Sequence, residues 1–410
     1  MIAENRIDPK GLLQKTSLIF KPKKVVFYTI LILTFLLSGL ITILHFIPYR
    51  MGLVSALIIP LILLYGIKID RVLIAFIVLA ILIGLSALYN HSSILELVIF
   101  LRILGFSFLI YYLVEIYIDQ NTISKVIRLC VLIAIIQLPI ILLQQVFYTQ
   151  LPARLTLGIS HIDFDFGTFN ANDAPLAIFS TLIVVFLLFD KKHNYIIRYK
   201  WPIALWLTLT VFIVNAEIIK FIIVLVWTIY LVRYLNIKIF VSSLLLFTVI
   251  LSILFMAGIL DQIWGDFTYS FRSNTSVGQL QEEAFLSGAY SRGAAISYYI
   301  NQGIKWFGDG PSKYFNVFSN IRMRGNTGHI FTFYSEVGLL GWLASVAIFF
   351  MIAFPGSGWR IRVSWVGLLS FVAVMMLSFT AQVMNDISIF LIYCIIQKSH
   401  LIPSSTDLVT

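Results

Sequence analysis

The stretch GHIFTFYSEVGLLGW, residues 328–342, places a histidine at the mouth of an apolar segment and a glutamate inside it. On a helix, His329 and Glu336 lie on one stripe two turns apart, about 10 Å along the axis. That separation is too long for a direct bond between the two side chains. Because a carboxylate that faces lipid is very costly, Glu336 is expected to face protein or water. The stretch therefore predicts a membrane span that turns an ionisable pair away from lipid.

The composition of the whole chain agrees with this prediction. Hydrophobic residues make up 60% of the 410 residues, charged residues only 12%, and the mean hydropathy is +0.96. Soluble domains carry about 25% charged residues, which excludes a soluble fold. The apolar blocks are long enough for helical spans and lack the alternation of a membrane β-barrel. The predicted fold class is an all-α polytopic membrane helical bundle of about 12 transmembrane helices.

The predicted spans divide one integral membrane domain, residues 1–410, into crossings and loops. The crossings cover residues 25–47, 51–67, 70–89, 94–118, 123–147, 174–189, 202–214, 217–233, 239–260, 330–353, 362–380 and 383–397. The segments outside them are a basic cytoplasmic arm (1–24), a first outer loop (148–173) and a large structured extracytoplasmic loop between spans 9 and 10 (261–328).

The basic residues set the expected orientation. The formal net charge is +10, and most of the 29 lysines and arginines fall in segments that are inside if the N-terminus is cytoplasmic. By the positive-inside rule, both termini face the cytoplasm in the cytoplasmic (inner) membrane. The charges lie between spans, which argues against nucleic acid as a partner. The basic arm lacks a small-residue cleavage site, so the first span is expected to be retained.

The large loop has a composition that favours an anionic substrate. It is rich in aromatic residues, and residues 289–305 are predicted to form an amphipathic helix over the bundle. Its basic bias on the outside runs against the positive-inside trend, although most exposed loop cations are simply solvated. Arg292 lies among small residues in SRGAA, and Arg322 and Arg324 follow later in the loop. Arginine suits a diphosphate because its planar fork bonds two oxygens at once.

Charged residues within the predicted spans each have two interpretations. Arg102 either binds an anionic ligand or pairs with a buried acid such as Glu96 or Glu115, or with backbone carbonyls. Glu217 and Lys220 are three residues apart, so they either form a bridge on one helix face or leave Lys220 pointing toward an outer cavity.

His329 and Glu336, the ionisable residues of the stretch 328–342, each have two possible roles. His329 is expected at the outer surface. It could take a proton near neutral pH, or its ring could simply lie at the membrane–water interface without a chemical role. Glu336 could line a binding site or make a structural hydrogen bond to another helix, and Gly338 and Gly341 would allow close helix approach.

The cysteines and the outer-loop carboxylates predict neither a disulfide framework nor a metal site. Cys130 and Cys394 both fall inside predicted spans. Asp163 and Asp165, with His161, are too loosely spaced to indicate a metal centre. No metal and no cofactor are expected.

Four motifs, taken in order, resemble those of the O-antigen polymerase and O-antigen ligase superfamily, which also includes exopolysaccharide polymerases. They are GTFNAND (167–173), SGAYSRGAA (287–295), WFGDGPSKYF (306–315) and GHIFTFYSEVGLLGWL (328–343). The chain departs from the family's pattern in having Ile330 rather than asparagine after His329. It also has Asn215-Ala216-Glu217 in place of the hairpin Ser-Arg pair.

The resemblance implies transfer of a glycan from undecaprenyl diphosphate, en bloc, to a sugar hydroxyl on the outer face of the membrane. It implies that Arg292 binds the diphosphate and that His329 is the base. Lys220 is the cation nearest the family's hairpin pair, and Arg322, Arg324 and Glu336 are further expected substrate-binding residues. The expected partners are the lipid-linked oligosaccharide, the bilayer, a chain-length regulator and a flippase.

The expected function is polymerisation of lipid-linked oligosaccharide repeats into O-antigen, capsule or exopolysaccharide. A ligase that passes finished glycan to lipid A core or another acceptor would use the same donor chemistry and remains open. A transporter or flippase is the alternative of a different class, with Arg102, Glu217 and Lys220 lining a conduit.

Overall fold

The computed structural model describes residues 22–43, 47–150, 165–169, 173–190, 197–214, 216–234, 303–312, 328–355 and 363–402. Within these ranges all regular structure is helical. The helices are α1 (Pro22–Phe35), α2 (Ser38–Ile43), α3 (Ile47–Tyr65), α4 (Arg71–Tyr89), α5 (Ile94–Tyr117), α6 (Ile123–Phe147), α7 (Asp173–Phe189), α8 (Lys200–Ile213), α9 (Glu217–Tyr234), α10 (His329–Ala353), α11 (Trp365–Leu377) and α12 (Ile387–Leu401), and a 3₁₀ turn at Tyr148–Gln150 follows α6.

Four of these helices, α4, α5, α6 and α10, are long and apolar enough to cross a membrane. Helices α7, α8, α11 and α12 are apolar but shorter. The predicted helical, membrane-type fold is thus confirmed at the level of fold class. The predicted span 239–260 and most of the loop 261–328 lie outside the described residues. Of the amphipathic helix predicted at 289–305, the described residues 303–305 are not helical.

The described bundle has two distinguishable ends. At the first, here called the basic end, the start of α4 and the ends of α5, α10 and α12 surround one cavity, lined among others by Arg71, Glu115, Phe354 and Lys398. At the second, the end of α4 and the start of α5 hold residues 303–312: Asn90 Nδ2 donates to the Gly308 carbonyl at 3.2 Å, and Ser312 Oγ donates to the Glu96 carbonyl at 2.9 Å. Glu336 of α10 lies beside Ser86 near the end of α4, and the last residues of α10 lie at the basic end, where α4 begins. This part of α10 therefore runs alongside α4 in the opposite direction.

Helix α5 carries Arg102 on an exposed face, where it has no hydrogen bond or ion pair with any described residue. Both of the acids expected to pair with it are engaged elsewhere. Glu96 closes the capping box of α5 by accepting from the Ser93 amide at 2.8 Å, and Glu115 forms an ion pair with Lys398 at 2.5 Å. The expected buried pairing of Arg102 is therefore wrong for these acids, because the helix-start cap and an interhelical bridge take them instead.

Helix α10 does not continue straight through its 25 residues. Gly338 interrupts it with φ 83° and ψ −174°. The ring centroids of His329 and Phe349 lie 5.8 Å apart, whereas 20 residues of straight helix would separate the two Cα atoms by about 30 Å. The chain must therefore fold back at Gly338 into two arms, residues 329–337 and 339–353. We call this element the α10 hairpin. Each arm alone is shorter than the hydrocarbon core, so residues 330–353 do not form the one straight helix that the sequence predicted.

Candidate functional site

The break in the α10 hairpin is filled by residues 303–312, here called the plug segment. Two amides after the break donate to carbonyls of the plug segment, and two amides of the plug segment donate to carbonyls before the break. The four bonds are Leu339 N to Lys305 O (2.8 Å), Leu340 N to Trp306 O (3.5 Å), Asp309 N to Ser335 O (2.7 Å) and Gly310 N to Glu336 O (3.0 Å). Backbone groups freed by a helix break inside a membrane protein need such partners. The plug segment therefore completes the hydrogen bonding of the broken helix.

Two glycines make this close approach feasible. A Cβ on Gly338 would lie 2.2 Å from the Trp306 carbonyl oxygen, and a Cβ on Gly308 would lie 2.6 Å from the Glu336 carbonyl carbon. Both glycines also have positive φ, 83° and 66°. Any residue larger than glycine would clash with the neighbouring backbone at both positions and would also have to adopt a positive φ.

Helix α4 holds the plug segment from the other side. Ser86 Oγ lies within hydrogen-bond distance of the Phe307 and Glu336 carbonyls, and Asn90 Nδ2 reaches the Gly308 carbonyl. The ring centroids of Tyr89 and Phe307 lie 5.7 Å apart. Sequence reasoning missed Ser86 and Asn90. Their spacing of four residues at the end of an apolar helix puts both on one face and was the available signal.

Glu336 is fully buried, as its expected orientation away from lipid requires. Its Oε2 atom accepts a hydrogen bond from the backbone amide of Ser312 at 2.7 Å. Ser312 has φ 62° at the end of the plug segment. The sequence suggested a hydrogen bond to another helix. The observed partner is the plug segment, because the fold-back of α10 brings that segment against the first arm.

His329 is buried at 1% exposure, whereas the sequence predicted a place at the outer surface. Its ring packs against Phe333, with centroids 4.3 Å apart, and against Phe349. Neither ring nitrogen has a hydrogen-bond partner among the described residues. The physical reason for the burial is the α10 hairpin, which lays the second arm over the ring. A buried imidazole with two uncommitted nitrogens is unusual, and it marks this position as a candidate ligand contact.

The predicted cations are only partly visible. Arg292, Arg322 and Arg324 lie outside the described residues. Lys220 lies in the first turn of α9, where its amide donates to the Ala216 carbonyl at 3.1 Å, and its side chain is half-buried. The ring of His329 bonds no described side chain, Lys220 included. The structure therefore brings His329 and Glu336 together on one arm, and it does not join Lys220 to His329 directly.

The GTF tripeptide of the first motif is anchored by two glutamines of α6. Gln144 makes two hydrogen bonds to the backbone of Gly167. Its Oε1 accepts from the Gly167 amide at 2.9 Å, and its Nε2 donates to the Gly167 carbonyl at 2.8 Å. Gln137 Oε1 accepts from the Thr168 amide at 2.9 Å, and the Thr168 carbonyl accepts from the Gly39 amide at 2.8 Å. The tripeptide thus links α6 to the first turn of α2. Sequence reasoning missed both glutamines, although polar amides seven residues apart in an apolar helix were a signal.

No metal-ligand cluster is found in the part of the chain that the structure describes. His161 and Asp163 lie outside that part, and Asp165 is buried. Cys130 and Cys394 are buried free thiols.

No protein-family model matches this chain. A comparison with curated proteins likewise finds no significant match.

Proposed function

We propose that the chain is a membrane-embedded glycosyltransferase that polymerises undecaprenyl-diphosphate-linked oligosaccharide repeats into a cell-surface polysaccharide. The proposal includes about 12 spans, both termini in the cytoplasm and an active site on the outer face of the cytoplasmic membrane. One observation carries it. Two motifs of the resembled family, WFGDGPSKYF and GHIFTFYSEVGLLGWL, are separated in sequence and yet bond to each other at the α10 hairpin.

This contact bears on the loop that holds the predicted cations. The plug segment and Gly328 are both attached to the bundle, since a Cβ on Gly328 would lie 2.3 Å from the Phe379 backbone. Arg324 is four residues from Gly328 in the sequence, and four residues of extended chain span at most about 14 Å. The positions of Arg322 and Arg324 in the sequence therefore suit a role beside His329.

The proposed reaction is a single displacement. The oxygen of an acceptor sugar hydroxyl forms a bond to the anomeric carbon of the donor, and the bond from that carbon to the diphosphate oxygen breaks. The hydroxyl proton passes to a ring nitrogen of His329, a step of general-base catalysis typically worth about 10² to 10⁴ in rate. Undecaprenyl diphosphate leaves with its electron pair, and the anomeric configuration inverts.

The remaining site residues have supporting roles in this proposal. Arg292 holds the leaving diphosphate, with Arg322, Arg324 and Lys220 as further cations, because preorganised charge is often the largest single contribution to catalysis. Glu336 acts as a positioning residue: it holds the plug segment through Ser312, which fixes one end of the loop beside the α10 hairpin.

The test is complementation of a strain that lacks its own polymerase. We expect His329→Ala and Arg292→Ala to abolish the polymer ladder on a gel, with protein levels in the membrane unchanged. His400→Ala and Arg198→Ala are matched controls at the basic end and should leave the ladder intact. Full-length polymer from either of the first two variants contradicts the proposal. Transfer of finished glycan to lipid A core, without growth of repeats, would show a ligase instead.

Transport is the second candidate, and the broken helix favours it. Interrupted helices are common in transporters, where they contribute to substrate sites near the bilayer midplane. Movement of a lipid-linked oligosaccharide across proteoliposomes without formation of longer products would support transport over polymerisation.

A further inference from the structure

A cavity of about 570 Å³ opens at the basic end of the bundle. It lies at the opposite end of α4 from Ser86 and Asn90, so it is separate from the α10 hairpin. Its volume falls within the range of small-molecule sites. Helices α4, α5, α10 and α12 all contribute to its wall.

The carboxylates of this cavity are already engaged. Asp70 caps α4 by accepting from the Leu73 amide at 2.7 Å through Oδ1, and its Oδ2 accepts from the Tyr111 hydroxyl at 2.7 Å. Glu115 is paired with Lys398 at 2.5 Å. Both acids are therefore poorly placed to bind a cation from outside.

The basic groups have donor capacity beyond these bonds. An ammonium group has three N–H donors, and Lys398 uses one of them for Glu115 while its side chain stays 26% exposed. Arg71 brings a guanidinium group with five donors to the same wall. The rest of the wall is largely apolar and includes Phe350, Phe354 and Leu401. Donor-rich cations beside apolar walls match a phosphate group that carries an aliphatic chain.

Aromatic and basic residues around the cavity place this end at the level of lipid headgroups. The Lys23 ammonium lies 5.8 Å from the Tyr65 ring centroid, and Lys23 also reaches the Ile116 carbonyl beside Glu115. The Arg233 guanidinium lies 4.7 Å from the ring centroid of the exposed Trp365. Such belts mark the membrane interface.

We propose that this cavity binds the headgroup of an anionic phospholipid. Arg71 and Lys398 hold the phosphate oxygens, and the apolar wall takes the first methylene groups of the acyl chains. The site is independent of the proposed glycosyl transfer, because it uses none of the residues assigned to that reaction.

The test measures lipid binding to the full, delipidated chain in detergent by native mass spectrometry. Three probes are compared: dioleoylphosphatidylglycerol, dioleoylphosphatidylcholine and inorganic phosphate. We expect Arg71→Gln to weaken binding of the phosphatidylglycerol about tenfold or more, because a charge-assisted hydrogen bond is worth roughly 1.5–3 kcal/mol. The double variant Glu115→Gln with Lys398→Gln should do the same, and it leaves neither partner of the ion pair as an unpaired charge.

Arg198→Gln is the matched control, since Arg198 is an exposed cation outside the cavity wall. Its lipid binding should equal that of the unchanged chain. Equal binding by all variants, or equal binding of phosphatidylcholine and phosphatidylglycerol, overturns the proposal. Displacement of the lipid by millimolar inorganic phosphate also overturns it, because the site would then take soluble phosphate.

Discussion

At the scale of single residues, Gly338 decides how the opening stretch folds. The sequence places glycines at 338 and 341 and suggests close helix approach there, but it does not reveal a reversal of direction. A positive φ within an apolar run becomes favourable only when another segment supplies the missing hydrogen bonds, and the plug segment lies more than twenty residues upstream in the chain. For the same reason the burial of His329 could not be predicted from its place at the start of the span.

Replacement of Gly338 by alanine should destabilise the protein strongly. The substitution adds a Cβ 2.2 Å from a carbonyl oxygen and forces an L side chain into positive φ, a conformational penalty alone of about 1–2 kcal/mol. Gly84 and Gly105 lie in helices with open space around a Cβ. Alanine at either should leave the thermal unfolding midpoint in detergent unchanged or raise it. An equal effect at all three positions would contradict the account of the break.

Glu336 offers a test of the bond between the first arm and the plug segment. Glu336→Gln keeps an oxygen that can accept from the Ser312 amide, so stability should change by less than about 1 kcal/mol. Glu336→Leu leaves that buried amide without a partner, and we expect a loss of about 1–3 kcal/mol in the free energy of unfolding. The comparison is made by thermal unfolding of the purified chain. A leucine variant as stable as the glutamine variant would show that the bond is not needed.

At the scale of elements, the sequence predicted where helices occur, but it did not predict where a helix is interrupted. Apolar runs of suitable length correctly predicted α4, α5 and α6, because burial in lipid requires backbone groups to be paired within one segment. Helix α6 shows how a helix tolerates a break in that pairing. Pro139 has no amide to give to the Ile135 carbonyl, and the Trp206 indole of α8 donates to that carbonyl at 3.0 Å. Such compensation comes from distant residues and is invisible in local sequence.

The glutamines of α6 should be needed to hold the GTF tripeptide. Gln144→Leu removes both hydrogen bonds to the buried Gly167 backbone, and each orphaned group costs about 1–3 kcal/mol. The expected result is a clear fall in the thermal unfolding midpoint. Gln150 is an exposed glutamine shortly after α6, and Gln150→Leu should leave the midpoint unchanged. Equal unfolding midpoints of the two variants would show that Gln144 does not hold the GTF tripeptide.

At the scale of the whole molecule, composition was sufficient to predict a helical membrane protein, and charge distribution predicted its orientation. The relation between distant segments required the structure. The resemblance joined the last two motifs in one hypothesis because of their order in the sequence. Their direct contact through three backbone hydrogen bonds is a property of the folded chain. The orientation, the span count and the roles of Arg292, Arg322 and Arg324 stay predictions.

The most direct test of the account is a disulfide across the break, between cysteines introduced at Lys305 and Leu339. The Leu339 amide lies 2.8 Å from the Lys305 carbonyl oxygen, so the two backbones are in direct contact, as a disulfide between these positions requires. Cys130 and Cys394 are first replaced by alanine, and a protease site is introduced between residues 313 and 327. A control pair at Lys305 and Leu343 lies one turn further along the second arm.

After oxidation and cleavage, we expect the 305/339 variant to stay one covalent species until it is reduced, while the 305/343 control separates into two fragments. Separation of the 305/339 variant under oxidising conditions would contradict this expectation, since the plug segment would then not occupy the break at Gly338.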